Sequence, residues 1–271
     1  MCDTEPTALT SRVRYDSDMY RLLFASALMK GFGHLSGEGI LYPRGVISIP
    51  VGEFNIQKDK KVRELLQGEY AIHTPDGRTL YAVIAPQDLI IIPEGLGTFW
   101  LESFAPDGSM YEKYVQESVA VVDIGYYTTD VVLMQNGLYV VGGAESADIG
   151  MGNVASAVLE DLRRAGAQGS DVWEIDNAIT EECINIGGRD YSIAESVERE
   201  LTTLTERVVN FVNTTLRGKN VRTIILGGGG GSLVYPYLDD EVRINWQLSS
   251  NPRRGNVEGA FQFLLRREST Q

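Results

Sequence analysis

The sequence predicts an α/β protein with a partly antiparallel sheet, and three observations carry that prediction. Apolar runs of strand length alternate with segments of helical period through the second half of the chain. A hairpin-rich patch surrounds residue 123, and glycines stand at the ends of two apolar runs. With 271 residues, 43% hydrophobic and 23% charged, the chain has room for one large domain or two modest ones around a sizeable core.

After a polar leader, Asp18 is placed to cap a helix through about Gly31, with Tyr20, Leu23, Ala27 and Phe24 as its inward side. GEGILYPRG is turn-rich, and VISIP (46–50) is a short buried strand. QKDKKVRELLQ (57–67) is a helix with Val62, Leu65 and Leu66 inward and the KDKK run in solvent. YAIHTPDGRTLYAVIA (70–85) is a hairpin turning at Pro75-Asp76-Gly77, and DLIIIPEG (88–95) is a strand stopped by Pro93. Helical-looking material follows until Pro106-Asp107-Gly108 breaks it.

Three strand candidates come next: VAVVDIG (119–125), TTDVVLM (128–134) and LYVVGGA (138–144), the last two joined by the hairpin dipeptide Asn136-Gly137. From Gly150 the period changes, because Val154, Val158, Leu159 and Leu162 share a helical face. A second helical patch ends near residue 180, CINIGGRDYSI (183–193) is a small hairpin, and a long helix runs from about Ile193 to Leu216. RTIILGGGGGSLVYPYL (222–238) is strand, glycine run and helix, and NVEGAFQFLLRR (256–267) is a closing helix.

Charge and cysteine content narrow the function classes. Lys plus Arg number 24 against 37 Asp plus Glu, a net charge of -13, with no basic block of five or more, so broad contact with DNA phosphates is disfavoured. Cys2 and Cys183 lie far apart with no CxxC spacing, which points to neither a disulfide framework nor a zinc site and to a reducing interior. No apolar run approaches a membrane span and no export signal is visible. The two histidines, His34 and His73, stand without a serine or cysteine arranged beside them, so a catalytic histidine is not expected.

Chemistry concentrates at the two glycine-bounded strand ends. In DIGYYTTD, backbone N–H groups after Asp123, with the hydroxyls of Thr128 and Thr129, are able to cradle phosphate oxygens, and Asp123 is able to hold a hydrated Mg²⁺. The same residues also suit a tight hairpin whose Asp and Thr satisfy their own backbone. Asp130 is expected to face the core or cap the returning strand. The run of glycines at 227–231 is either a ligand-facing nest at a helix start or a flexible connection. Two such nests in one chain fit a nucleotide held between two halves.

The order and spacing of IPVGEF, IIPEGLG, DIGYYTTD, DIGMGN, the long helix, ILGGGGGSLVYPYL and NVEGAFQFL resemble the actin-like ATPases, in particular the prokaryotic plasmid-segregation actins of the ParM and StbA type. The resemblance spans roughly residues 18 to 267. It implies an actin-like (ribonuclease H-like) ATPase fold with mixed sheets and flanking helices, its first domain truncated at the N-terminus. It further implies residues 1–118 as the remnant of that first domain and 119–271 as the second, with helix 256–267 packing back towards the first. The family's leading strand and first phosphate hairpin have no counterpart in MCDTEPTALTSRVRYDSD, consistent with a fragment, a remnant or a natural short form.

By the same resemblance, Glu94 matches the acid that orients the attacking water and Asp123 the acid that holds Mg²⁺ through water. Gly125, Thr128 and Thr129 match the phosphate loop, Gly150 a glycine near the sugar, and Gly228, Gly229 and Gly230 the adenosine loop. Glu94 equally suits a helix N-terminal acid favoured by the dipole. The implied activity is cytoplasmic ATP hydrolysis with ATP/ADP and Mg²⁺ bound. Filaments of the chain itself would move plasmids through a DNA-bound adaptor, with no direct nucleic-acid or membrane contact. Two competing classes are a non-catalytic, degenerate interaction protein and a small-molecule kinase on the same fold.

Overall fold

A computed structural model describes residues 17–239 and 245–269. The polar leader and Cys2 lie outside the described residues. The chain divides into two compact units: residues up to 49 with 53–93, and 50–52 with 94 onward. The division anticipated at 118/119 falls inside the second unit.

In the first unit, α1 (Asp18–Phe32) starts where the Ser17 hydroxyl accepts the Tyr20 amide, one residue earlier than the Asp18 cap anticipated. Its inward side differs from the expected one. Leu28 is buried and Tyr20 and Phe24 pack beside it, whereas Leu23 is 45% exposed and Ala27 also faces outward. Apolar residues such as Met19, Leu22, Leu23 and Met29 also lie outside the buried face, so periodicity alone does not select it. The turn-rich segment GEGILYPRG also contains β1 (Gly39–Leu41).

β2 (Gly45–Ile49) pairs in parallel with β5 (Leu89–Pro93), and α2 (Ile56–Leu66) buries Val62 and Leu66. β3 (Gly68–His73) and β4 (Thr79–Ile84) form the anticipated hairpin, with β1 parallel on the outer side of β4. Their alternating burial is the half-buried pattern of a sheet with one face on a core. The KDKK run is only partly solvated: Lys58 folds back onto Glu53 at 2.8 Å, while Lys60 remains 77% exposed.

The second unit opens with α3 (Leu96–Ser103) and α4 (Glu112–Gln116). Its six-stranded sheet runs β13-β12-β6-β7-β8, with β9 also on β7, where β6 is Ser118–Ile124, β7 Thr129–Gln135, β8 Leu138–Tyr139, β9 Glu145–Ala147, β12 Val221–Gly227 and β13 Trp246–Leu248. β13, β12 and β6 are parallel and β6, β7 and β8 antiparallel, so the sheet is mixed as predicted. β6 is apolar and buried along nearly its whole length, as a central strand covered on both faces must be.

The third strand candidate is shorter than expected. Pairing stops at Tyr139, Val141 is 88% exposed, and the chain turns through Gly142 before β9 rejoins β7. β13 carried no recognisable strand signal, being three residues long. Helices α5 (Met151–Arg164), α6 (Val172–Ala178) and α7 (Ala194–Thr215) cover one face, burying Val154, Val158, Leu162, Val197, Leu201, Leu204 and Val208 with strand residues Ala120, Val122 and Leu226. Between α6 and α7 lies the hairpin β10 (Cys183–Ile186) and β11 (Arg189–Ser192), where Cys183 is free and exposed. α8 (Gly231–Val234) follows the glycine run, and α9 (Gly255–Ser269) packs on α3. Among the described residues no helix is long and apolar enough to cross a membrane.

Candidate functional site

β6 and β12 run parallel with Asp123 paired to Gly227, so both glycine-bounded turns emerge at the same carboxyl-terminal edge of the sheet. That edge of an α/β sheet is where ligands bind, because helix starts and loop amides converge there. The turn after β6 closes through the Gly125 amide, which donates to the Thr128 carbonyl at 2.8 Å. The amides of Tyr126 and Tyr127 at its tip donate to no acceptor among the described residues.

The glycine run docks onto β6: the Gly230 amide donates to the Ile124 carbonyl at 2.9 Å, and a Cβ on Gly228 would collide with the Ile124 backbone. Gly229 is exposed, with open space where its Cβ would be. The run is therefore a packed loop with one outward position, which removes the flexible-connection alternative. Gly150 is also set by close packing, since a Cβ there would lie 2.5 Å from the Tyr126 carbonyl oxygen.

Asp123 is 7% exposed and stands across the β6–β7 ladder from Asp130, which is 1% exposed. Burial first, then the Asp130 charge, pushes the Asp123 carboxyl up to about 7, opposed by a hydrogen bond from Asn256. Asp130 is fully engaged: its Oδ1 accepts the Val51 amide at 3.1 Å and its Oδ2 the Thr128 hydroxyl at 2.9 Å. It thus faces the core and caps IPVGEF, while Thr128 serves Asp130. Thr129 is buried and its hydroxyl donates to the Ile149 carbonyl at 2.7 Å, so the second threonine of the loop ties β7 to the start of α5.

Glu94 precedes Gly95, whose φ of 92° and approach to Val132 (2.9 Å from a Cβ) require glycine. Glu94 is half-buried. The link between this segment and Asp123 was not recognised in the sequence: Asn256, in the first turn of α9, donates to Asp123 Oδ2 at 2.6 Å and accepts the Gly95 and Thr98 amides at 2.9 and 3.3 Å. Only the position of Asn256 within NVEGAFQFL hinted at a role, since a polar residue there begins an otherwise packing helix.

An aromatic cluster borders the turn. Tyr126 stacks on Trp173 of α6 with ring centroids 4.8 Å apart, and its buried hydroxyl has no hydrogen-bond partner among the described residues. Burial, then the charges of Asp176, Tyr127 and Asp171, pushes that hydroxyl up to about 12, so it stays protonated.

No group of three or more His, Cys, Asp or Glu able to hold a metal exists among the described residues. A buried carboxylate with one oxygen clear of hydrogen bonds among the described residues fits a cation that keeps most of its waters and takes its other ligands from phosphates, as Mg²⁺ does. It does not fit a metal needing several protein ligands.

Residues 121–240 match the model of the archaeal actin homologue MreB-like C-terminal family. No curated protein matches the chain in sequence. Among solved structures, a non-polymerisable quadruple mutant of pCBH ParM is 18% identical with a TM-score of 0.75, covering 93% of this chain and 76% of its own. The archaeal actin homologue Ta0583 in complex with ADP is 21% identical with a TM-score of 0.73, covering 94% and 79%. Bacillus thuringiensis ParM with ATP is 16% identical with a TM-score of 0.67, covering 99% and 78%. The chain has the actin-like fold of ParM and Ta0583, and its residues 121–240 match the archaeal actin homologue MreB-like C-terminal family.

Proposed function

We propose that the chain binds ATP with Mg²⁺ at the strand ends of its second unit, hydrolyses it, and associates with itself into filaments. One observation carries this reading: at a single sheet edge, a buried carboxylate stands beside the open position at Gly229 and the amides of Tyr126 and Tyr127, with one carboxylate oxygen and both amides unengaged among the described residues. Support also comes from structures of the same fold described with ADP, with ATP, and as a 15-stranded ParM filament from Clostridium botulinum.

In this reading Asp123 holds the metal's water shell, and bound Mg²⁺ supplies charge neutralisation at the phosphate oxygens. The turn amides at 126 and 127 donate to phosphate, Gly228, Gly229 and Gly230 lie along the adenosine, and Gly150 along the sugar. Glu94 orients the attacking water in line with the γ-phosphate, a positioning role that phosphoryl transfer demands. Thr128 and Thr129 shape the turn through Asp130 and Ile149. The net charge of -13 fits a cytoplasmic filament that moves plasmid or other DNA through a DNA-bound adaptor without touching DNA itself.

The test is calorimetric titration with ATP and Mg²⁺, followed by sedimentation of the ATP-loaded chain. Micromolar binding that disappears in Asp123→Ala, with pelleting that needs ATP, is the expected result. Absence of binding in the unaltered chain overturns it.

One observation favours a non-catalytic partner instead. The Met151 and Gly152 amides at the start of α5 donate to the Gly125 and Tyr126 carbonyls at 3.1 and 2.8 Å, so that helix start offers a ligand fewer donors. Nucleotide-independent self-association would select this alternative.

A further inference from the structure

We infer that Asn256 is a positioning residue of this site: it holds the Asp123 carboxylate and the chain after Glu94 in one fixed relation, an inference that rests on the nucleotide reading above. The side-chain amide faces two ways. Its Nδ2 donates to Asp123 Oδ2 at 2.6 Å, and its Oδ1 accepts the Gly95 amide at 2.9 Å and the Thr98 amide at 3.3 Å. The flip state follows from the network, since only the NH₂ meets a carboxylate and only the oxygen meets amides.

A residue needed only to cap α3 would require the oxygen alone. The additional donor is spent on Asp123 Oδ2, leaving Oδ1 as the oxygen for a hydrated cation, so the bond sets which way the carboxylate presents itself. The bridge is also rigid. A Cβ on Gly97 would overlap the Asn256 backbone, and one on Gly259 would overlap the Gly97 carbonyl oxygen, so α3 and α9 meet backbone to backbone at Asn256 and in the turn that follows it. With the backbone held and three hydrogen bonds made, the carboxamide has no second position to adopt.

Outer partners that orient a metal-binding carboxylate are worth about 10–100-fold in metal affinity. The measurement is ADP affinity by calorimetry, with Mg²⁺ and with excess chelator, for the unaltered chain, Asn256→Ala and Asp123→Ala. Expected is that Asn256→Ala binds Mg²⁺-free ADP within about twofold of the unaltered chain but loses about tenfold or more of the gain that Mg²⁺ confers. A purely structural residue would weaken both affinities alike, and that result overturns the inference, as does full retention of the Mg²⁺ gain.

If Asn256→Ala gives no cooperative melt, Asn256→Ser, which keeps an oxygen at the start of α9, decides by the same criterion. If the unaltered chain binds no ADP, or Asp123→Ala keeps the Mg²⁺ gain, the nucleotide reading itself has failed and the role of Asn256 falls with it.

Discussion

Gly259 of α9 sits against Gly97 of α3 so closely that a Cβ on Gly259 would overlap the Gly97 carbonyl oxygen and lie 2.6 Å from the Leu101 amide nitrogen. Both obstructing groups are backbone, so no side-chain rotation relieves them. Gly259→Ala must therefore separate the two helices, at a cost of about 3 kcal/mol, towards the upper end of the overpacking range. Thermal unfolding of the variant should show a fall of several degrees, and an unchanged melting temperature would contradict the contact.

The pH dependence of stability should carry the mark of Asp123. Burial, above all, pushes its folded carboxyl from an ordinary 3.8 up to about 7. The folded state therefore keeps a proton that the unfolded state has released, so this group's contribution is fully present below 3.8, declines as pH rises to about 7, and is flat beyond. Asp123→Asn should remove that decline and stabilise the ligand-free protein at pH 8, as read from urea melts across the range. On the nucleotide reading, binding of Mg²⁺ and nucleotide below pH 7 should also release a proton, seen calorimetrically in buffers of different ionisation enthalpy.

Asp130 contributes to that shift through its charge. Asp130→Asn keeps an acceptor for the Val51 amide and a donor for the Thr128 hydroxyl while removing the charge. The Asp123 titration should move down, below the value of about 7, when followed by carboxyl-carbon NMR; a titration that stays in place would mean that burial alone sets it.

Tyr126 holds a buried hydroxyl that finds no partner among the described residues, while its ring is stacked on Trp173. Tyr126→Phe retains the stack and discards the unpaired group, so the ligand-free protein should gain about 1 kcal/mol. A loss of stability on equilibrium unfolding would show that the hydroxyl has a partner in solution.

Glu94→Ala tests the water-orienting role directly. Calorimetric ATP affinity should be nearly unchanged while single-turnover hydrolysis falls about 100-fold or more, the range for a lost general base or water-positioning group. Equal losses in binding and turnover would recast Glu94 as part of the structural start of α3.

Several elements were legible in the sequence because their signals are local. Asn136 and Gly137 adopt φ values of 51° and 75°, the left-handed pair that the Asn-Gly hairpin between β7 and β8 requires. The apolar faces of α5 and α7 and the continuous apolar run of β6 are written in spacing and length, and the strand-end placement of Asp123 follows from that run. The actin-like motif order likewise lies along the chain and needs no coordinates.

Other features were decided by tertiary structure, because they depend on what lies opposite a residue. The inward face of α1 is Tyr20, Phe24 and Leu28 because the first-unit core lies on that side of a helix whose apolar residues are not confined to one face. Thr129 is committed to Ile149 and Thr128 to Asp130 because the β6–β7 register and the start of α5 bring those acceptors within reach. Asn256 meets Asp123 across 133 residues of sequence, through a backbone-to-backbone helix crossing that local pattern cannot encode. Local pattern specified the elements, the motif order and the residues able to act; sheet register, the start of α5 and the packing of α9 on α3 decided which of them face one another, because hydrogen bonds and steric contact depend on distance in space and not along the chain.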